Sequence, residues 1–303
     1  MALDYTININ GRLSDFNKVK VMGIVNVTDD SFYAGSRVCL EEDIVSRVSL
    51  MVKEGADIID IGACSTRPDA KFVSAKEEEQ RLRTALKAIT GVMPETVLSV
   101  DTFRSDIAKM AVEEYGVAII NDISAGEFDN RMFSTVAKLG VPYILMHGCS
   151  PDMAPDAKNS NDTAAKSPGN GSQTTDEFME QVMRFFAEKV QQLYDLGQKD
   201  IIIDPGFGFG KTLEQNYQLL ANIQWLNMLK LPILVGVSRK SMIWRLLNIT
   251  PDEALNGTTA VHTICLLKEA CHILRVHDVK AAREAITIVE KTSQSTVCPS
   301  FAL

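Results

Sequence analysis

The run IIIDPGFGFGK, residues 201–211, ends three apolar β-branched residues on a carboxylate, Asp204, and then alternates glycine with phenylalanine. An uninterrupted apolar run suits a strand covered on both faces. Glycines that let backbone approach closely, set directly after a carboxylate, suit a ligand better than a core. Asp204 has counterparts along the chain. Asn26, Ser65-Thr66-Arg67, Asp101, Asn121, His147, Ser238-Arg239-Lys240, and Arg275 with His277 each follow an apolar run. A single carboxylate can accept both hydrogen bonds from a ring edge that carries an exocyclic amine beside a ring N–H. Asp101 and Asp204, with Asn121, therefore suit a flat heterocycle, and Lys240 supplies a donor for an adjacent ring carbonyl. Arg275 and His277 lie two apart, so on a strand they share a face. An arginine there can stack on a ring and reach an anion together. With Asn26 and Arg67 they make a place for phosphate that Mg²⁺ can complete. Asn26 is the candidate oxygen ligand, although one residue does not make a metal site.

Bland readings compete with each of these. Asp, Asn and Ser are common helix caps, and any one of them alone can be explained that way. Eight polar run-ends in succession, three of them with arginines or a lysine beside carboxylates, are poorly explained by capping. Gly210-Lys211-Thr212 invites a phosphate-loop reading, but the required first glycine is Pro205. The spaced glycines are too weak for a dinucleotide fingerprint. Phe207 and Phe209 can both be core, yet the glycine spacing predicts that at least one ring faces the ligand.

The elements that position these residues follow from the spacing. Apolar runs at 20–25, 58–61, 97–100, 117–120, 142–146, 201–203, 233–237 and 271–276 alternate with amphipathic stretches at 40–53, 75–89, 104–115, 130–139, 175–196, 213–229, 256–270 and 278–291. Strand–helix alternation repeated eight times predicts an α/β fold, a (β/α)₈ TIM barrel, over an open doubly wound sheet. All the polar run-ends then fall on one rim, where active sites of this architecture lie. Residues 1–19 contain Asn10-Gly11 between alternating residues and predict an N-terminal β-hairpin that caps the barrel bottom. Residues 150–175 are rich in Ser, Asn, Asp, Gly and Pro and predict a long polar loop insertion. The whole chain, 1–303, reads as a single domain.

Acidic residues outnumber basic ones 39 to 31, which argues against a nucleic-acid surface. The chain shows no membrane-spanning run and no signal-peptide pattern at its start. Six cysteines without CxxC spacing predict reduced thiols and a cytoplasmic location.

Seven segments together resemble the dihydropteroate synthases: MGIVNVTDDSF (22–32), DIGACSTRP (60–68), SVDT (99–102), INDIS (120–124), DPGFGFGK (204–211), GVSRK (236–240) and RVHDV (275–279). The resemblance covers nearly the whole chain in order. It implies a transferase of folate biosynthesis that joins 6-hydroxymethyl-7,8-dihydropterin diphosphate to p-aminobenzoate, by dissociative loss of diphosphate and then arylamine attack. It further implies that Asp101, Asn121, Asp204 and Lys240 hold the pterin, with Arg275 stacked on its ring. Arg275, His277 and Asn26 would share the diphosphate with Mg²⁺. Ser65, Thr66, Arg67, Pro68, Phe209 and Ser238 would serve the p-aminobenzoate and diphosphate side, and Asp101, Lys240, Arg275 and His277 the chemistry. Sulfonamide sensitivity and a homodimer through the late helices are also implied. The chain departs from the family pattern at Asp29, where proline is usual, at Ala34, where an acid is usual, and at Asp69, where glycine is usual. Those departures touch loop closure and aminobenzoate binding, not pterin recognition. Two other readings are a pterin-binding methyltransferase, which needs no diphosphate site, and a catalytically weak paralogue.

Overall fold

Each apolar run becomes one parallel strand, and every strand pairs with one that precedes or follows it in sequence. The structure, a computed structural model, describes residues 5–27, 37–64, 73–149 and 174–295. Ser65, Thr66, Arg67 and Pro68 lie outside the described residues, as do Asp29, Ala34, Asp69 and the expected insertion as far as residue 173. An antiparallel hairpin, β1 (Thr6–Ile9) and β2 (Arg12–Asp15), precedes the barrel strands. These are β3 (Lys20–Asn26), β4 (Ile58–Gly62), β5 (Leu98–Asp101), β6 (Ile119–Asp122), β7 (Tyr143–Met146), β8 (Ile201–Asp204), β9 (Leu234–Val235) and β10 (Ile273–Val276). Their order is β8-β7-β6-β5-β4-β3-β10-β9, and a parallel bridge between Ile203 and Ile233 joins the two ends. The sheet is thus a barrel and not an open doubly wound sheet.

Helices α1 (Arg37–Lys53), α2 (Ala75–Val92), α3 (Ser105–Tyr115), α4 (Met132–Leu139), α5 (Thr175–Asp195), α6 (Leu213–Asn222), α7 (Ser241–Leu247), α8 (Leu255–Leu267) and α9 (Val279–Gln294) separate and follow the strands. Their starts are written locally. Thr174 with Glu177 and Thr212 with Gln215 form reciprocal capping boxes, and Ser74 accepts the Glu77 N–H. Gly116 and Gly140 end α3 and α4 in the left-handed region. Helix α7 is an addition to the expected set: at 7 residues it is too short to show a helical period.

Side chains alternate across a strand, so every second residue lines the barrel interior. Met22, Ile58, Ile119, Ile144, Ile202, Leu234 and Ile273 fill its lower part, over Tyr5, Ile7 and Phe16 of the hairpin. Two residues further along β4, β6, β8 and β10 stand Asp60, Asn121, Asp204 and Arg275. One step along the inside therefore changes the barrel from apolar to polar. The outward residues, among them Ile59, Ile61, Val100, Leu145 and Ile203, pack beneath the helices in the larger core.

The hairpin turns on Asn10 (φ 50°) and Gly11 (φ 79°), the two left-handed residues that a type I′ turn needs. Tyr5 and Phe16 meet His272 edge-on, with ring centroids 4.8 and 6.3 Å away. His272 Nδ1 in turn accepts the Ile233 N–H at 3.0 Å, so the plug is tied to the strand ends that it covers. Among the described residues no helix is long and apolar enough to cross a membrane. Truncating the plug should leave a cavity beneath the barrel: Phe16→Ala is expected to cost about 3 kcal/mol. Urea unfolding checks this, and an unchanged midpoint would mean that the hairpin is not part of the core.

Candidate active site

Asp60 is the residue around which the polar end of the barrel is organised, and sequence reasoning missed it. It lies in mid-strand on β4 and is fully buried. Its Oδ2 accepts from Arg275 Nε at 2.7 Å and from Asn121 Nδ2 at 3.0 Å. Arg275 Nη2 reaches Asp101 Oδ2 at 2.7 Å. A single guanidinium on β10 thus joins carboxylates on β4 and β5. Because Asn121 turns its N–H₂ to Asp60, what it can offer a ligand is its amide oxygen. A signal for Asp60 was present in the sequence: an ionisable residue inside IIDIG is rarely buried without a partner.

Burial dominates the electrostatics. It pushes the Asp101 carboxyl up to about 7, against the pull of Arg275 and reinforced by Asp60, Asp122 and Asp204. Asp204 is raised by burial too, with Lys240 and the Gly206 N–H opposing. Lys240 is pushed down to about 8 by burial, and Asp204 holds it up. A ligand that brings donors to these carboxyls relieves the crowding of like charge. Asp122, also missed, does different work: it accepts from Tyr143 Oη and from Ser124 and Gly126, shaping the turn after β6.

Asp204 has two tasks. Its Oδ1 accepts the Gly206 N–H at 2.8 Å, so it does cap the turn that follows. Its Oδ2 lies 3.9 Å from where a Cβ would stand on Gly236, and Arg275 Cβ is equally close to that point. The missing side chain at Gly236 keeps this space open. Gly206, Gly208 and Gly210 all have positive φ (66°, 80° and 58°). A Cβ on Gly206 would stand 1.8 Å from the His147 carbonyl oxygen, so glycine is required there. Phe207 is wholly buried, whereas Phe209 is half-buried and has Lys240 Nζ 4.4 Å from its ring centre. Lys240 also donates to the Phe207 carbonyl. Lys211, set aside with the phosphate-loop reading, donates to three carbonyls, of Gly206 (2.9 Å), His147 (3.2 Å) and Phe209 (3.2 Å). Burial pushes it down to about 7.

Ser238 and His277 come together. Ser238 Oγ accepts the His277 backbone N–H at 3.2 Å and lies 3.1 Å from His277 Nδ1. Burial, helped by the charge of Arg275, takes the His277 imidazole down to about 4, so near neutral pH it is uncharged. Arg239 turns away from the barrel axis to Asp278 (2.8 and 3.0 Å) and the Pro251 and Asp252 carbonyls. His147 packs edge-on against Phe185, and burial holds it well below the ordinary range, which suits a core ring. Asn26 is exposed at the end of β3, and its Oδ1 and the Asp101 Cβ are both 3.5 Å from where a Cβ would stand on Gly62. Among the described residues no group of three or more His, Cys, Asp or Glu could hold a metal ion. Both flanks of 65–72 are tied to the barrel: Arg104 donates to Cys64 Sγ and the Val73 carbonyl, and pairs with buried Glu78.

The chain matches the family of pterin binding enzymes over residues 22–277. It is 38% identical to the dihydropteroate synthase of Escherichia coli K12 over 284 residues, 93% of this chain and 94% of that one. The Yersinia pestis dihydropteroate synthase, solved with a sulfonamide drug complex, superposes with a TM-score of 0.81 at 35% identity, covering 96% of this chain and 100% of that one. The Xanthomonas albilineans dihydropteroate synthase with 4-aminobenzoic acid superposes at 0.82 and 32% identity, over 96% and 99%.

The cluster makes a prediction of definite sign. Since the charge of Asp60 helps to raise Asp101, Asp60→Asn should bring the Asp101 titration below about 7. Carboxyl-carbon NMR through a pH series would read it, and an upward move would contradict the arrangement.

Proposed function

This chain belongs to the pterin-binding enzyme family, and from that premise we infer that it is a dihydropteroate synthase. It joins 6-hydroxymethyl-7,8-dihydropterin diphosphate to p-aminobenzoate, releasing diphosphate and forming 7,8-dihydropteroate in folate biosynthesis. The observation that carries this reading is the converging set of acceptors on the barrel axis, Asp101, Asn121 and Asp204, with Lys240 as the donor beside them. A pterin presents an amine and ring N–H groups next to a carbonyl, the matching pattern. Asp204 Oδ1 retains a lone pair after its bond to Gly206, so both its oxygens can still accept. Arg275, held edgewise by Asp60 and Asp101, keeps its guanidinium plane for the ring and its remaining N–H groups for the anion.

The diphosphate lies toward Asn26, Arg275 and His277, and the family pattern adds Arg67, which is outside the described residues. His277, uncharged, contributes an N–H and no full charge. Mg²⁺ would fit this donor set only as an ion brought by the diphosphate, with Asn26 as the residue that would hold it, because Asn26 offers a single exposed oxygen. When bound it neutralises charge on the departing group. The C–O bond to diphosphate breaks with its electron pair leaving on oxygen, and the dihydropterin delocalises the resulting cation. The arylamine nitrogen then attacks the methylene carbon and loses a proton to solvent. Phe209 and Ser238 serve the second substrate, and the family pattern assigns Ser65, Thr66, Arg67 and Pro68, outside the described residues, to the same role. No step needs a protein nucleophile, so catalysis rests on positioning and electrostatics. The relatives are named as synthases and not methyltransferases, which favours this reading over that rival. Sulfonamides, as aminobenzoate mimics, are inhibitors on this reading.

Two further properties complete the proposal. Cys64, Cys149, Cys265 and Cys271 are free thiols, which fits the reducing cytoplasm. Leu246 and Leu247 on α7 and Leu255, Ile264 and Leu267 on α8 are exposed apolar side chains on adjacent helices, suited to a homodimer.

Mixing the pterin diphosphate and p-aminobenzoate with the enzyme and Mg²⁺ should release diphosphate; a pure protein that releases none is not a synthase. Asp204→Asn should lower pterin affinity about a hundredfold, since an amide presents a donor where acceptors are needed. Calorimetry showing unchanged affinity would remove Asp204 from the site. Ile264→Glu should halve the mass seen by light scattering, and an unchanged dimer would move the interface elsewhere.

A further inference from the structure

We propose that Lys211 is a positioning residue for the arylamine half of the reaction, an internal cation whose three carbonyl bonds hold Phe209 against the second substrate. The proposal rests on the synthase reading of the site. Its ground is the way the turn after β8 is held. Side chains from separate places bond the turn's backbone: Asp204 takes the Gly206 N–H, Asn216 the Gly208 N–H at 2.7 Å, and Lys240 gives to the Phe207 carbonyl. Lys211 takes the carbonyls on either side, that of Gly206, which also accepts the Phe209 N–H at 3.1 Å, and that of Phe209, and adds that of His147 from the loop after β7. An ammonium has three N–H donors, so all three are spent. As it stands, Lys211 offers no donor to substrate, and its work is done through the backbone it holds.

The loops that it joins have no slack. A Cβ on Gly148 would stand 2.4 Å from the Phe209 carbonyl oxygen and 2.7 Å from Lys211 Nζ, and one on Gly210 would stand 2.4 Å from the Gly148 carbonyl oxygen. The two backbones are in contact, with the ammonium beside the crossing. Carbonyl dipoles turned toward one another at such range repel, and a buried cation between them removes the repulsion. Phe209 is the residue displaced if that cation goes, since its own carbonyl is one of the three. The pterin groups Asp101, Asn121 and Asp204 sit on β5, β6 and β8 themselves and take no hydrogen bond from Lys211, whose charge reaches Asp204 only across space. The three-carbonyl cage is also what a small monovalent cation would choose, which gives a test specific to this role.

Lys211→Ala and Lys211→Met are compared with wild type for pterin affinity by calorimetry, for kcat and for aminobenzoate KM, with and without methylammonium. Both variants should raise the aminobenzoate KM about tenfold, since a misplaced positioning group is felt at that scale. Pterin affinity should fall by less than the aminobenzoate KM rises, because Lys211 acts on Asp204 through charge alone and shares no hydrogen bond with it. Methylammonium should restore KM in Lys211→Ala, which has room for it, and not in Lys211→Met, where the side chain fills the space. An unchanged KM, a loss of pterin affinity as large as the rise in KM, or no rescue of the alanine variant would each overturn the proposal. Failure of both variants to fold would overturn it too, since the lysine would then serve the fold. Wild-type diphosphate release, run alongside, reports separately on the synthase reading.

Discussion

The guanidinium of Arg275, shared between Asp60 and Asp101, is the interaction on which the upper half of the barrel depends. A buried charge is tolerated only when it is paired, and losing one partner from such a group costs about 3–5 kcal/mol. Here the pairing runs between strands: β10 holds β4 and β5, and β4 in turn holds the Asn121 amide on β6. The balance of the cluster is deliberately incomplete. Asp60, Asp101 and Asp204 face Arg275 and Lys240, so acid groups exceed their nearest cations, and burial raises the proton affinity of Asp101 and Asp204. On the proposed reading, a pterin, whose edge carries donors, completes what the protein alone leaves short.

That polar layer is possible because the layer beneath it is not polar. Closing a parallel sheet points every second side chain inward, and those at the lower end are Ile, Leu and Met, sealed by the hairpin. The ion cluster therefore rests on a dry floor and opens toward the loops alone. The dry surroundings also penalise the charged form, so burial makes Lys240 and Lys211 bind their protons less tightly than a free lysine does, although Asp204 opposes this in both.

The turn after β8 shows how little of this layer is left to loops in the ordinary sense. Glycines with positive φ let it press on the loop after β7, and side chains bond five of the eight backbone N–H and C=O groups from Gly206 to Phe209. Such a turn behaves as a rigid part of the site. Phe207 and Phe209, alike in sequence, are given opposite environments by it, one in the core and one beneath Lys240.

The sequence by itself determined the architecture and the layer in which chemistry occurs. Apolar runs alternating with amphipathic stretches specify strands and helices locally, and Asn10-Gly11, Thr174 and Thr212 specify a turn and two caps, because those preferences act over a few residues. It also marked the polar residues at strand ends, including Asp101, Asn121, Asp204, Lys240, Arg275 and His277, since a barrel places all such ends on one rim. Asp60 stayed hidden because it stands inside a strand, and only closure of the sheet brings it to Arg275, 215 residues away. Lys211 was hidden for a related reason: its partners are carbonyls, which no residue type announces. Ser238 next to His277, Arg239 turned out to Asp278, and His147 packed against Phe185 were decided in the same way. Residue type sets what a group can do, but pairing between distant strands depends on register and curvature. Those exist only once the barrel has closed.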